Sequence, residues 1–209
     1  INLNLVTKSE SINPESLFNE GKNTTHYSII DNDGNVVSNT YTLGYSFGSG
    51  VTIPGTGILL NNQMNNFAYQ YGVPEVIDRS ASIGNKFEPG KRPMSTMSPI
   101  IVFDKNNSIK LITGSPGGAL IPAAILRVVT GVIDFDLNLG EASMLPRIHK
   151  DWPYENLLLE RGFSKDTHNL LESFGHEIEE SKTMGSTQSI LITSKGVEGF
   201  ADLRRPNAG

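Results

Sequence analysis

Asn23, Thr24 and Thr25 stand where a polar segment gives way to a strand-like pattern. A threonine hydroxyl is a weak nucleophile until a base takes its proton, and an N-terminal threonine can use its own α-amine as that base. Free α-amines titrate near pH 8, so a useful fraction is neutral under ordinary conditions. Thr24 is therefore a candidate nucleophile if the Asn23–Thr24 bond is cut, with Thr25 as its rival. By itself the pair fits the start of an ordinary strand better.

The elements that follow would position such a nucleophile. Two strand-like runs, His26–Asp31 and Asn35–Leu43, flank an Asp33-Gly34 turn, a combination that predicts a β-hairpin. Thr24 would then head the first strand, and Thr42 would lie near the same end of the second. A second hydroxyl at that place can orient a nucleophile and relay a proton. We interpret His26 as a side chain on the sheet face rather than as a catalytic group.

The rest of the chain alternates between strands and helices. The pattern predicts a second hairpin over residues 98–103 and 108–113. It also predicts helices over 122–134, 139–144 and 166–174, and two closing strands over 188–193 and 199–202. Strands, then helices, then strands favour two sheet layers faced by helices. The segment 72–89 is long for a connection and contains few core-forming residues, which is typical of a lid.

Composition excludes several classes of protein. The chain has 209 residues with 37% hydrophobic and 19% charged residues, which suits one or two globular domains. A net charge of -5 gives no electrostatic reason to expect nucleic acid or an anionic membrane as a partner. No apolar run is long enough to span a membrane. The absence of cysteine excludes disulfides and thiolate metal sites.

A glycine-rich turn, Ser115-Pro116-Gly117-Gly118, precedes the first predicted helix. Glycines let the backbone approach a substrate closely, and adjacent backbone N–H groups can converge on a developing oxyanion. The helix that follows would add the positive end of its dipole. Alone, a Gly-Gly pair is weak evidence, and a plain turn explains it as well.

Five blocks together resemble one family. They are 23–28, 57–64, 91–99, 113–118 and 184–189, and they stand in the order of the signature blocks of γ-glutamyltransferases, also called glutathione hydrolases. The resemblance runs from about Thr24 to Arg204. It implies an α+β fold, the αββα sandwich of N-terminal-nucleophile hydrolases, with two antiparallel sheets between helix layers.

The resemblance also implies a division of the chain and an activity. Residues 1–23 would be the mobile C-terminal tail of a large subunit, and residues 24–209 the small catalytic subunit, paired with that large subunit after autocatalytic cleavage at Asn23–Thr24. The reaction would transfer a γ-glutamyl group from glutathione or another γ-glutamyl amide, through an ester on Thr24, to water, an amino acid or a peptide. No metal or organic cofactor is expected, because amine, hydroxyl and backbone donors supply every role. A periplasmic or extracellular location is expected.

The resemblance assigns roles to single residues. The catalytic residues would be Thr24 as nucleophile, Thr42 as its hydroxyl partner, and Gly117 and Gly118 as the oxyanion hole. The substrate α-amino group would contact Gln63 and Asn66, and its α-carboxylate would contact Ser95 and Thr96. Arg147 falls in a family segment behind the site and is interpreted as structural.

Two positions depart from the family pattern. Asn66 stands where most members have an acidic residue that pairs with the α-ammonium, and Gly44 stands where many have a polar side chain. A neutral amide loses the charge-assisted part of that bond, roughly a kcal/mol or more. This favours as an alternative a hydrolase or transferase for poly-γ-glutamate or glutaryl amides. A further alternative is an unprocessed relative that binds ligands without catalysis.

Overall fold

The computed structural model describes residues 24–67, 83–150 and 156–205. The predicted tail at 1–23 and most of the 72–89 segment lie outside the described residues. The strands are β1 (Thr24–Ile30), β2 (Val36–Thr42), β3 (Ile100–Phe103), β4 (Ile109–Thr113), β5 (Ile148–Lys150), β6 (Asn156–Glu160), β7 (Glu177–Ser181), β8 (Gln188–Thr193) and β9 (Gly196–Ala201). The helices are α1 (Ile121–Ile133), α2 (Leu139–Met144) and α3 (Lys165–Ser173). Three short 3-10 turns cover Gln63–Asn66, Ile83–Asn85 and Gly118–Leu120.

The predicted N-terminal hairpin is confirmed. β1 and β2 pair antiparallel, with Thr24 opposite Thr42 at the open end. At the closed end, the Asp31 carboxylate accepts bonds from the backbone N–H groups of Asp33 and Asn35 at 2.9 and 2.8 Å. Gly34 takes the positive φ of 85° that the turn requires. The turn therefore sets the register that brings Thr24 and Thr42 together.

A four-stranded antiparallel sheet in the order β3-β4-β8-β9 forms the centre of the chain. α1 and α2 pack on one face of it, where their apolar sides meet Leu111 of β4 and Leu191 of β8. The buried helix residues of this core are Val128, Val132, Leu139 and Ala142. The predicted helices at 122–134 and 139–144 are confirmed, because apolar residues at helical spacing meet a sheet face that is itself apolar.

The N-terminal hairpin packs against β4 and β8 through polar side chains. The Ser38 hydroxyl donates to the carbonyl of Thr113 at 3.0 Å, and the Ser28 hydroxyl donates to that of Gln188 at 2.9 Å. Both carbonyls lie at strand ends, and the backbone N–H of Gln188 also donates to Gly114 at 3.1 Å. The hairpin is thereby fixed beside the loop that leads to Gly117.

A third sheet, in the order β5-β6-β7, was not predicted from the sequence. β5 and β6 pair antiparallel, whereas β6 and β7 pair parallel and are joined through α3. The predicted helix over 166–174 is confirmed, and Ser164 caps it by accepting from the backbone N–H of Thr167 at 3.1 Å. The strands gave no clear signal, because β5 has three residues and β7 is mostly acidic and exposed.

Four buried charged side chains join the third sheet to the end of β9. Arg147 contacts Asp202 at 2.5 Å, while Arg204 contacts Glu160 at 2.7 Å and Asp202 at 3.1 Å. Burial by itself raises the pKa of Asp202, but the charges of Arg147 and Arg204 outweigh it and hold that pKa below its ordinary value. Arg147 is completely buried and lies at the centre of this network, as a structural residue would.

Candidate active site

Thr24 and Thr42 form the first part of the candidate site. Directly opposed residues of an antiparallel pair project to the same face with Cβ atoms about 5 Å apart, so the side chains of Thr24 and Thr42 lie side by side. Thr24 is buried at 7% exposure, and strand alternation leaves Thr25 exposed on the other face. The structure therefore distinguishes the two candidate nucleophiles by burial and by the position of Thr42, which lies opposite Thr24 on the same face.

The Thr42 hydroxyl is oriented by its own strand end. Its oxygen accepts a bond from the backbone N–H of Gly44 at 2.9 Å, which leaves the hydroxyl proton for donation. Gly44 has a φ of 92°, and a Cβ atom there would lie 1.9 Å from Oδ1 of Asn62. That oxygen already accepts from the backbone of Tyr45 at 3.1 Å. The close approach of Asn62 gives a physical reason for glycine at position 44.

Gln63 and Asn66 connect to the same strand end. The side-chain amide of Gln63 donates to the carbonyl of Thr42 at 3.3 Å. Asn66 in turn donates from Nδ2 to Oε1 of Gln63 at 2.8 Å. Both residues lie in a 3-10 turn, which puts positions three apart on one side. Two of the predicted substrate-binding residues thus adjoin the predicted catalytic Thr42.

Gly117, Gly118, Ser95 and Thr96 form the second part. Gly117 and Gly118 have φ values of 137° and 55°, and the 3-10 turn they begin leads directly into α1. The Thr96 hydroxyl donates to the carbonyl of Gly118 at 2.7 Å, whereas the Ser95 hydroxyl oxygen accepts from the backbone N–H of Met97 at 3.2 Å. Thr96 therefore ties the glycine turn to the 91–99 block, and the Ser95 proton is left for a substrate.

His26 links the two parts of the site. Its imidazole is 5% exposed, with Nδ1 2.7 Å from the Thr40 hydroxyl and Nε2 3.2 Å from the Ser28 hydroxyl. The ring lies against the backbone of Gly114, three residues before Gly117. Burial lowers the pKa of His26 to about 4, so the ring is neutral near pH 7. The packed position agrees with the sheet-face role expected from the sequence.

This burial predicts acid sensitivity. Between about pH 6.5 and pH 4 the unfolded chain takes up a proton on His26 that the folded chain does not, so folding stability falls as pH falls through that window and the loss levels off below it. The full loss is on the order of 3 kcal/mol. Unfolding measured from pH 7 to pH 4 should show a shallower pH slope for His26→Gln. His168→Gln, on α3, should keep the wild-type slope, and equal slopes in all three proteins would contradict the prediction.

Gly114 is predicted to tolerate no side chain. A Cβ atom there would lie 2.2 Å from Cε1 of His26, so Gly114→Ala must displace the imidazole or the strand that carries Thr24. Overpacking of this kind costs about 1–3 kcal/mol, and a shift near the nucleophile should lower turnover by at least about tenfold. Thermal melting and initial rates measure both effects. Gly199→Ala in β9 is the control, because its Cβ meets nothing within 4 Å; equal effects of the two substitutions would count against the packing argument.

Arg205 contacts the nucleophile candidate, and no motif in the sequence pointed to it. Its Nη1 donates to the carbonyl of Thr24 at 3.1 Å. Its Nη2 is buried and has no hydrogen-bond partner among the described residues. The two residues are 181 positions apart, so only the folded chain brings them together.

A cleft of about 440 Å³ opens beside Gln63. Phe67 and Phe87 line it with ring centroids 5.4 Å apart, and Lys91 lines it while paired with Glu88 at 3.0 Å. Within the described ranges, no group of three His, Asp or Glu side chains is arranged to hold a metal ion. None of the helices in the part of the chain that the structure describes has the length and apolarity needed to cross a bilayer.

Comparison with known proteins gives one consistent result. The family model for gamma-glutamyltranspeptidase matches residues 2–209. The glutathione hydrolase proenzyme of Escherichia coli K12 is 45% identical over 206 residues, which are 98% of this chain and 35% of the relative. A crystal structure of a mutant Helicobacter pylori gamma-glutamyltranspeptidase is 40% identical, with a TM-score of 0.78 over 87% of this chain and 100% of that chain.

A more distant structure and the lengths of the relatives complete the comparison. The transpeptidase enzyme CapD of Bacillus anthracis is 26% identical, with a TM-score of 0.65 over 88% of this chain and 97% of that chain. The chain spans about a third of the length of the curated relatives it matches.

Proposed function

The chain belongs to the gamma-glutamyltranspeptidase family, and from that premise we propose that it catalyses γ-glutamyl transfer after cleavage of the Asn23–Thr24 bond. The observation that carries this proposal is the buried Thr24 at the start of β1, opposite Thr42 and beside the loop that holds Gly117. The donors are glutathione or other γ-glutamyl amides. The acceptors are water for hydrolysis and amino acids or peptides for transpeptidation.

The predicted fold class, that of N-terminal-nucleophile hydrolases, is confirmed by the solved relatives. We propose the division expected from the sequence: residues 1–23 form the tail of a large subunit, residues 24–209 form the small subunit, and the two remain associated after cleavage. The substrate carboxylate then has partners from the large subunit as well as from this chain. A periplasmic or extracellular location is part of the same proposal.

The first chemical step is acyl transfer to Thr24. The free α-amine takes the hydroxyl proton while Oγ attacks the γ-carbonyl carbon of the donor, forming a tetrahedral oxyanion. Collapse of that intermediate breaks the amide bond, and the ammonium returns the proton to the leaving amine. A γ-glutamyl ester of Thr24 remains. Water or an acceptor amine then attacks the ester carbonyl and passes its proton to the same α-amine. Collapse of this second intermediate breaks the bond to Thr24 Oγ, the ammonium returns the proton to that oxygen, and the product leaves a restored enzyme.

Thr42, Gly117 and Gly118 support this step. Thr42 is the neighbour whose hydroxyl proton can be donated toward Thr24 Oγ, since its oxygen already accepts from Gly44. The backbone N–H groups of the glycine turn stabilise the oxyanion, and removal of one such donor typically costs about a hundredfold to a thousandfold in kcat. The α1 terminus behind the turn contributes the positive end of its dipole.

Substrate recognition uses the four remaining predicted residues. Asn66 and Gln63 meet the α-amino group through their side-chain oxygens, in the orientation set by their mutual bond at 2.8 Å. Ser95 donates its hydroxyl proton to the α-carboxylate. Thr96 acts mainly by holding the Gly118 carbonyl, because its own proton is donated there at 2.7 Å.

The alternatives are less well supported. A preference for poly-γ-glutamate or glutaryl amides is motivated by Asn66 and Gly44 alone. The close approach of Asn62 to Gly44 already explains why position 44 is a glycine. An unprocessed binding relative would not require a buried threonine pair at a strand end. We therefore retain γ-glutamyl transfer as the function.

Two measurements on the purified full-length proenzyme test the proposal. Denaturing electrophoresis with N-terminal sequencing should show two fragments, one of which begins at Thr24. Turnover of γ-glutamyl-p-nitroanilide should exceed that of glutaryl-p-nitroanilide and of poly-γ-glutamate. An uncut, inactive chain would favour the binding relative. A cut chain that prefers the glutaryl or polymeric substrate would favour the alternative enzymes.

Asn66→Asp is predicted to strengthen recognition of the free α-amine. Placing a carboxylate beside the substrate ammonium gains a charge-assisted bond, so KM for γ-glutamyl-p-nitroanilide should fall by about five- to tenfold. KM for glutaryl-p-nitroanilide, which lacks the amine, should not fall. Asn65→Asp adds the same charge at the neighbouring exposed position and is the matched control. If both substitutions lower KM equally, general electrostatic attraction explains the effect instead.

A further inference from the structure

Arg205 occupies a position from which it can act on the nucleophile's own base. Its Nη1 is 3.1 Å from the Thr24 carbonyl oxygen. Covalent geometry keeps the nitrogen and the carbonyl oxygen of one residue within about 3.6 Å of each other, so Nη1 lies within roughly 7 Å of the Thr24 nitrogen. After cleavage that nitrogen is the α-amine, which must be neutral to accept the hydroxyl proton.

The other charges near this point are already paired. Arg204 pairs with Glu160 and Asp202, and Asp202 also pairs with Arg147. Among the described residues, no carboxylate forms an ion pair with Arg205. Its charge therefore acts on Thr24 without a counter-charge from the described chain.

The elements packed against β1 contribute no competing titration. Across β1, β2, β4 and β8 the ionisable side chains are Tyr27, Tyr41, Lys110 and His26, and β8 has none. Among these types of side chain, only histidine ordinarily titrates between pH 5 and 9. His26 is neutral above about pH 4, because burial lowers its pKa. A titration between pH 5 and 9 thus reports on the Thr24 amine.

We propose that Arg205 is a positioning residue, which anchors the main chain of Thr24 and keeps a fixed positive charge beside the α-amine base. This inference rests on the proposed function. A like charge nearby disfavours the ammonium form, so the amine is more often neutral at pH 7 than an ordinary chain terminus. Nη2 is buried and makes no hydrogen bond in the described chain, so the bond from Nη1 to the Thr24 carbonyl has no competing partner there.

The test is the pH profile of kcat/KM for γ-glutamyl-p-nitroanilide, whose acid limb reports the base of the free enzyme. In Arg205→Gln that limb should move up by about half to one pH unit, so that kcat/KM at pH 6.5 falls about three- to tenfold and recovers by pH 9. Arg205→Lys, which keeps the charge, should move the limb less. A loss that is equal at every pH would reduce Arg205 to a structural residue and overturn the proposal.

A measurement on the wild type guards against a variant that fails to mature. A positive charge beside the α-amine should place the wild-type acid limb below about pH 7.7, the lower end of the ordinary range of α-amines. A wild-type acid limb at about pH 8 or above overturns the proposal. The proposed function fails separately, if the wild type stays uncut or does not turn over γ-glutamyl-p-nitroanilide. An active wild type whose acid limb lies at the ordinary α-amine pKa, and does not move on substitution at 205, refutes only the inference about Arg205.

Discussion

Thr24→Ala is expected to give a proenzyme that stays a single chain and turns over no γ-glutamyl substrate. The substitution removes the hydroxyl that we propose attacks the Asn23 carbonyl, so no new N-terminus should form. It also removes the proposed nucleophile of the transfer reaction. Loss of the nucleophile typically lowers kcat by several orders of magnitude, to the background of the assay. Electrophoresis over several days and release of p-nitroaniline measure the two effects.

Thr25→Ala is the matched control for this prediction. Thr25 has the same side chain one position later but is exposed on the other face of β1. It should be cut and remain active within a few-fold of the wild type. Thr24→Ser keeps a hydroxyl and should be cut more slowly but still become active. Cleavage of Thr24→Ala at the same bond, or activity in an uncut sample, would show that another residue is the nucleophile.

Asp202→Asn is expected to have the largest effect on stability. It leaves the guanidinium of Arg147, which is fully buried and 2.5 Å from Asp202, without its counter-charge. Breaking a buried ion pair by removing one partner costs about 3–5 kcal/mol. For a chain of this size the midpoint of thermal unfolding should fall on the order of 10 °C. Melting followed by circular dichroism on the mature protein measures the shift.

Glu180→Gln provides the contrast. Glu180 pairs with Arg161, but both side chains are exposed, and exposed pairs contribute little because water screens them. No change in melting is expected there. The stabilisation of the folded protein by the Asp202 carboxylate should also depend on pH. Since its folded pKa is held low, its stabilisation is present above the ordinary pKa of an aspartate and is lost as pH falls through the folded value. Equal melting of the two variants would show that the buried network contributes no more than a surface pair.

The candidate site is assembled from two separate supports. One is the β1–β2 hairpin with the 3-10 turn after it, which holds Thr24, Thr42, Gln63 and Asn66. The other is the glycine turn before α1, fastened to the 91–99 block by Thr96. His26 and Ser38 join them at Gly114 and Thr113. A substitution at this junction should therefore affect activity without touching a reacting group, which Gly114→Ala tests.

Local patterns in the sequence determined the N-terminal hairpin, the helices α1 and α2, and the family. The Asp33-Gly34 turn determines the hairpin register, because Gly34 alone accepts the required φ, and the register puts Thr42 opposite Thr24. Apolar residues at helical spacing determined α1 and α2. The five ordered blocks identified the family. The hairpin turn and the helical spacing are set by residues close together in the chain, so the sequence by itself indicates both elements.

Tertiary structure alone decided the contacts between distant segments. Arg205 reaches Thr24 across 181 positions, and Thr96 donates its proton to Gly118 rather than keeping it for a substrate. The sequence also did not predict the pairing of β6 with β7, because an acidic, exposed run such as β7 lacks the alternation of apolar and polar residues that indicates a strand. Such contacts follow from how separately formed elements pack, and side-chain hydrogen bonds then form between whichever groups the packing brings within about 3 Å.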